Sequence, residues 1–378
     1  MSGKPLPRAE ALLRAGIREG LHLGGQLYVS RAGRPMTDLA VGLSRPGVPM
    51  TTETLVLWLS STKPVAAVAV ARLWERGLLE LDDPVARHIP EFGQRGKEDV
   101  TIRHLLTHTS GIRLLRLGWP HDSWSEILDR ICRMRLEPRA VPGKRAAYHL
   151  ASSWFVLGEL VRRLDGRPFA RYVREEIFVP LGMESSWVGM PVERYRAYGE
   201  RIGAMFDTET QPPEDHRWDR EIWVTGCHPG GNGFGPIREL GRFYEMLLAG
   251  GRLGDARILR PQTVEALTAR HRAGMYDHTF RVVLDWGLGF ILNSALYHQE
   301  GDLPYAYGRH ASRRTYGHSG YRSSTAFADP EHRLVVALAV NGTPSEENHR
   351  RRFRLLTEAV YEDLGLTGEV PVVESIEA

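Results

Sequence analysis

A chain of 378 residues with 42% apolar and 25% charged residues has an ordinary globular composition, and it is long enough for one large catalytic domain or two lobes around a cleft. The net charge of +3 is small for this length, and the dense basic run His349-Arg350-Arg351-Arg352-Phe353-Arg354 reads as the solvated face of a terminal helix, so no nucleic-acid partner is expected. Cys132 and Cys227 are too few for a disulfide framework or a Cys-based zinc site; with no export signal and no run of 18 apolar residues, a cytoplasmic protein without a membrane partner is expected.

Leu13, Ile17 and Leu21 recur at i, i+4, i+8 and predict an amphipathic first helix, ended by Gly24-Gly25. The runs QLYVS and MTDLAVGL then read as two strands joined across Arg31-Ala32-Gly33-Arg34, with Gly33 taking the positive φ of a tight hairpin. In LWLSSTKPVA an apolar run turns helical, and the predicted helix runs from the Ser60 motif to a stop at Gly77. Pro64 is tolerable there because first-turn amides have little intrahelical bonding to lose. LLELDDPVARHIPEF reads as a loop-like stretch. From about residue 100 to 270 the pattern is mainly helical (TIRHLLTH, SWSEILDRICRM, SSWFVLGELVRRL, FARYVREEIF, IRELGRFYEMLLAG), broken by Pro- and Gly-rich loops. Strand-like runs return in WGLGFIL, YRSSTAFAD and RLVVALAVNG, with a turn at Asp329-Pro330-Glu331-His332, and RRFRLLTEAVYEDLG reads as a final helix. Strands at both ends with helices between predict an α+β fold: one antiparallel sheet made from both termini, flanked by helices, with the middle inserted as a helical lobe. The expected organisation is one catalytic domain over 1–378, with an α/β lobe at about 8–75 plus 275–378 and a helical lobe at about 76–274.

Ser60 and Lys63 carry the first chemical signal. A serine hydroxyl is a weak nucleophile at neutral pH and needs a base within hydrogen-bond reach. On a helix, i and i+3 share one face, so the Lys63 amine can reach the Ser60 oxygen. The helix they open is apolar on several faces (Val65, Ala66, Val68, Ala69, Val70, Leu73), which predicts burial. Burial and the positive end of the helix dipole both favour a neutral, basic amine.

The segment VTIRHLLTHTSGI, preceded by LELDDPVARHIPEF, resembles the stretch that follows the S-x-x-K helix in the serine β-lactamase-like family of class C β-lactamases, D-alanyl peptidases and esterases. PGKRAAYHLASSWFVLGELV is similar to its tyrosine motif, GGNGFGPIRELGRFYEMLLAGG to its late helical segment, and YGHSGYRSSTAFADPEHRLVVALAVNG to its third motif and following strands. The resemblance covers roughly residues 20 to 345 and implies a β-lactamase/transpeptidase-like fold with the site in the cleft between sheet and helical lobe. It makes Ser60 the acylated nucleophile, Lys63 its proton acceptor and Tyr148 the second proton-handling group. The backbone N–H groups of Ser60 and Tyr321 would form the oxyanion hole, and His318-Ser319-Gly320 would stand where penicillin-recognising members carry Lys-Thr-Gly. No cofactor and no metal are implied; the expected partners are a small-molecule acyl donor and an acyl acceptor.

Two departures bear on substrate. Many relatives carry asparagine two residues after the tyrosine, able to bond a substrate amide, and Leu150 stands there instead. His318 replaces a permanent positive charge that would help hold a carboxylate. Both changes resemble the esterase side of the family, and the expected activity is that of a serine esterase or acyltransferase, with a D-amino-acid peptidase or β-lactamase, or an inactive ligand-binding relative, as the alternatives. Rival signals are weaker. His104 and His108 have helical metal spacing but lack the H-E-x-x-H glutamate, GHSGY has Tyr321 where a nucleophile elbow needs glycine, and Gly230, Gly231, Gly233 and Gly235 do not satisfy G-x-G-x-x-G. Six tryptophans (Trp58, Trp119, Trp154, Trp218, Trp223, Trp286) are candidates for an apolar acyl pocket, and the sequence does not choose among them.

Overall fold

The run Leu334–Val340 reads LVVALAV, with no polar position, because both faces of the strand it forms are buried. In the computed structural model, which describes residues 6–112, 117–298, 303–305 and 307–367, this strand lies at the centre of a seven-stranded antiparallel sheet. The strands are β1 (Gly24–Arg31), β2 (Arg34–Arg45), β3 (Val48–Pro49), β4 (Ile291–Leu292), β5 (Tyr316–Gly320), β6 (Ser324–Asp329) and β7 (Leu334–Val340). Their spatial order is β4-β5-β6-β7-β1-β2-β3, so the two ends of the described chain meet where β1 pairs with β7, Tyr28 opposite Ala337.

The period-two alternation of these strands decides what covers each face. Leu27, Val29, Val336 and Leu338 point to helices α1 (Pro7–Arg18) and α7 (Glu346–Asp363), packing with Leu13, Phe353, Leu356 and Val360. Tyr28, Ala326, Ala337 and Ala339 face the opposite way, into the larger core with α6 (Ile237–Leu248). Alanines on that face let a helix approach closely. Gly241 of α6 completes the fit, since a Cβ there would lie 2.3 Å from the Tyr28 ring.

The first helix ends at Arg18 and Gly20 takes the left-handed φ of +71° just after it, so Gly24-Gly25 is not the stop signal expected from sequence. Those two glycines open β1, where a Cβ would meet Leu43 O at 2.5 Å or Ala339 O at 2.9 Å. The β1–β2 hairpin turns on Ala32 (φ 51°) and Gly33 (φ 74°), a turn with positive φ at both central positions. The loop-like stretch after Gly77 holds a short helix at Val85–His88 and a 3₁₀ turn at Pro90–Phe92.

Between β3 and β4 lie most of the helices, including α2 (Lys63–Glu75), α3 (Ile102–Leu106), α4 (Trp124–Arg133) and α5 (Ser152–Asp165). Helix α2 is buried on every side from Lys63 through Ala71, as its all-round apolar sequence requires. Each fully buried valine contributes roughly 1.5–3 kcal/mol. Small residues set its spacing: the Cβ that Gly289 lacks would lie 2.5 Å from Ala67, so Ala67→Leu would overpack the helix at a cost of about 1–3 kcal/mol. Among the described residues no helix is long and apolar enough to cross a membrane.

Candidate active site

Ser60 does not sit on the α-helix itself. Leu59–Thr62 form a 3₁₀ turn that leads directly into α2 at Lys63. Leu59, immediately before Ser60, has φ of +49°, a left-handed conformation that costs a non-glycine residue about 1–2 kcal/mol. Its surroundings over-determine the turn. Trp58 is buried, with its indole donating to Gly235 O at 3.1 Å; Ser61 Oγ donates to His318 O at 3.1 Å, and Ser324 Oγ donates to Trp58 O at 2.7 Å. Ser61 thus faces into the sheet and is buried, and Ser60 is left partly exposed.

Lys63 is only 1% exposed, and its Nζ lies 2.9 Å from Ser60 Oγ while donating to Gly230 O at 2.8 Å. Burial holds the amine well below its usual pKa range. The Tyr148 hydroxyl donates to the same Ser60 Oγ at 2.9 Å. Burial raises the Tyr148 pKa, the bond to Ser60 opposes that shift, and the nearby Asp277 carboxylate adds to it. Lys63 and Tyr148 both donate to Ser60 Oγ in this arrangement; once the amine is neutral, the Ser60 O–H can turn to Lys63 while a Lys63 N–H stays on Gly230 O.

Four histidines border this relay, all buried enough to be neutral. The His318 Nδ1 lies 2.8 Å from Ser319 O, and its ring centroid is 6.0 Å from that of Tyr148 and 5.7 Å from that of Trp286. Burial, the largest cause in each case, pushes His318 down to about 3 and His228 likewise to about 3. Burial takes His149 to about 4 and holds His108 well below 6.5. His108 packs at 4.7 Å from the Tyr148 ring and 4.6 Å from Trp286. His104, its metal-spaced neighbour in sequence, instead closes a capping box with Thr101 on α3.

The other residues singled out in sequence fall in distinct places. Gly320 ends β5 against the Ser60 turn, where a Cβ would lie 2.5 Å from Trp58 O and 3.0 Å from the Leu59 side chain. Its successor Tyr321 directly follows that strand end and is 54% exposed. Ser319 Oγ pairs with Thr325 Oγ1 at 3.1 Å, and Leu150 is 52% exposed at the approach to α5. His318 is 1% exposed, its ring packed near those of Tyr148 and Trp286. Trp58, Trp154 and Trp286 are core residues; Trp119, Trp218 and Trp223 are half-buried. Trp119 packs edge-on against Trp223 (5.0 Å) and His228 (5.1 Å), two residues from the Gly230 that holds Lys63.

Sequence reasoning missed the Gly230 carbonyl, the strained Leu59 and the ring of neutral histidines. The glycine run was the available signal. Gly230 and Gly233 lack a side chain because a Cβ would meet Trp154 or Trp58 at 2.5 Å, so the run marks close packing behind the lysine.

The same architecture recurs in known proteins. A family model described as Beta-lactamase matches residues 9–361. The chain belongs to the Beta-lactamase family. It is 31% identical to Esterase EstB of Burkholderia gladioli, over 88% of this chain and 90% of that one. It is 28% identical to Esterase/beta-lactamase LipL of Mycobacterium tuberculosis, over 88% of this chain and 80% of the other. Among solved structures, a family VIII carboxylesterase superposes with a TM-score of 0.78 at 25% identity, covering 96% of this chain and 99% of that one. This β-lactamase-family protein is thus a serine hydrolase by kinship, with esterases among its relatives.

Proposed function

We propose that this protein is a serine esterase or acyltransferase that works through an acyl-enzyme on Ser60, with esters or thioesters as its donors. The observation that carries the reading is the Ser60 Oγ held 2.9 Å from both the Lys63 amine and the Tyr148 hydroxyl. Lys63 takes the Ser60 proton as Oγ bonds to the carbonyl carbon, and the carbonyl oxygen becomes an oxyanion facing the Ser60 and Tyr321 amides. The C–O or C–S bond to the leaving group breaks and the proton passes to that group through Tyr148, which recovers it from Lys63 by way of the freed site. Water or an alcohol then attacks the acyl carbon and gives its proton to Lys63; the bond from that carbon to Ser60 Oγ breaks, Oγ takes the proton back from Lys63, and the acid or new ester leaves. Tyr148 is kept protonated by burial, so Lys63 is the base in the free enzyme.

Substrate choice follows from what the mouth offers. Exposed Leu150 gives an amide no bond and removes its water, and His318, buried and kept neutral by burial, presents no cation there to a carboxylate. The half-buried pair Trp119 and Trp223, beside the Lys63 carbonyl partner, supplies apolar area for an acyl chain. The test compares kcat/KM for p-nitrophenyl acetate and butyrate with a chromogenic cephalosporin and a D-Ala-D-Ala peptide, with intact mass recording the adduct. Ester values well above the others, and an adduct lost in Ser60→Ala, are expected. A cephalosporin or peptide value equal to the ester values would replace this reading with the β-lactamase or peptidase one.

A further inference from the structure

Tyr148 lies in a stretch with neither helix nor strand between Ala147 and His149, so no local ladder fixes its backbone. Its anchors come from a hairpin more than a hundred residues later in the chain, Tyr276–Asp277 paired with Val282–Val283. Asp277 Oδ1 accepts the Tyr148 N–H at 3.1 Å together with the amides of Thr279 (2.9 Å) and Phe280 (3.1 Å). Thr279 Oγ1 donates to Tyr148 O at 2.9 Å, and His278 N–H donates to Ala146 O at 3.0 Å. The Phe280 ring packs 4.7 Å from the phenol ring.

The second oxygen of Asp277 is held from behind. Oδ2 accepts from Arg272 Nη2 at 3.0 Å, and Arg272 also donates to Thr107 O at 3.1 Å and Leu284 O at 3.3 Å. Its guanidinium lies 5.1 Å from the Trp286 ring, which itself stacks on Tyr148 at 5.8 Å and 29°. Both ions are buried, at 1% and 0% side-chain exposure. Removing two charges from water costs several kcal/mol per ion, and apolar replacements of such pairs are often neutral or stabilising. Stability alone is a poor reason for this pair; fixed geometry is a better one.

We infer that Arg272, Asp277 and Thr279 are positioning residues for Tyr148: the hairpin that carries Asp277 and Thr279, backed by Arg272, clamps its backbone so that the phenol reaches Ser60. The inference rests on the proposed proton-handling role of Tyr148. None of the three needs to touch substrate. A displacement on the order of 1 Å at a reacting group costs about 10² in rate, so a loosened clamp lowers kcat with little change in KM.

The test is a set of double-mutant cycles with p-nitrophenyl acetate. Asp277→Asn and Thr279→Val are each made in the wild-type and in the Tyr148→Phe background, with Thr279→Ser as the conservative control. Expected are a fall in kcat of about 10-fold or more for Asp277→Asn, a smaller fall for Thr279→Val restored by Thr279→Ser, and KM within about 2-fold throughout. In the Tyr148→Phe background neither substitution should lower the rate further. Thr279 is exposed, so its variants fold even if Asp277→Asn does not. Losses of equal size in both backgrounds, or a Thr279→Val enzyme with wild-type kcat, would overturn the clamp while leaving the role of Tyr148 standing. Wild-type kcat in Tyr148→Phe alone would instead remove that role, and the clamp's purpose with it.

Discussion

An amine with no carboxylate beside it and almost no contact with water pays a large desolvation cost when charged, and Lys63 is in that position. Its lowered pKa means the unfolded chain binds the proton over a pH range where the native chain does not. Native stability therefore rises with pH through that window, and at neutral pH the site is held at the fold's expense. Lys63→Met should lower kcat by about 10²–10⁴, the range for losing a positioned base, and raise the melting temperature at pH 7. Tyr148→Phe should show a similar kinetic loss without that gain. A Lys63→Met protein that melts below wild type would show that the amine is charged and paired in the native state. The i, i+3 spacing made Ser60 and Lys63 legible in sequence because helical geometry alone joins them. Gly230 was not legible, since the atom that bonds Lys63 is a backbone carbonyl of a distant loop and any residue type supplies one.

At the scale of elements, the site is the junction of one 3₁₀ turn and one strand end. β5 reaches the Ser60 turn because Gly320 has no side chain, and Ser61 and Ser324 tie the two together. Gly320→Ala would place a methyl 2.5 Å from Trp58 O and push the Tyr321 amide away from the nucleophile. Loss of one oxyanion donor typically costs about 10²–10³ in kcat, so that fall is expected, with acylation by a fluorophosphonate slowed to match. An unchanged acylation rate would free Tyr321 from the oxyanion role. The strands and long helices were readable because alternation and 3.6-residue periodicity survive burial. The stop after α1 was misplaced for a definite reason: two glycines look like a helix end, and nothing local reveals that β1 needs them for close approach to Leu43 and Ala339. The turn at Ala32 shows the converse, an alanine taking a conformation that sequence reserves for glycine.

At the scale of the whole molecule, His22, His108, His149, His318 and His349 are buried and His228 half-buried, and desolvation holds each imidazole below its ordinary pKa. Their native pKa values lie below the ordinary 6.5, for four of them at about 3 or 4, so unfolding takes up protons as pH falls below 6.5. The histidine contribution is complete above 6.5 and is lost as pH drops towards 4, by up to about 1.4 kcal/mol per pH unit for each imidazole. Thermal melts between pH 7.5 and 5 should show a clear fall in melting temperature before carboxylates titrate. A flat profile across that range would mean these rings are charged or open to water in the folded protein. The sheet also imposes an order of assembly. Gly25 pairs with Val340, so during synthesis β1 waits for its second neighbour until almost the entire chain has left the ribosome, at about 5–20 residues per second a delay on the order of tens of seconds. Ser60, Lys63 and Tyr148 emerge early, yet Tyr321 arrives with the last strands. A nascent chain halted short of β5 thus holds Ser60, Lys63 and Tyr148 but lacks the strand end that packs against the Ser60 turn.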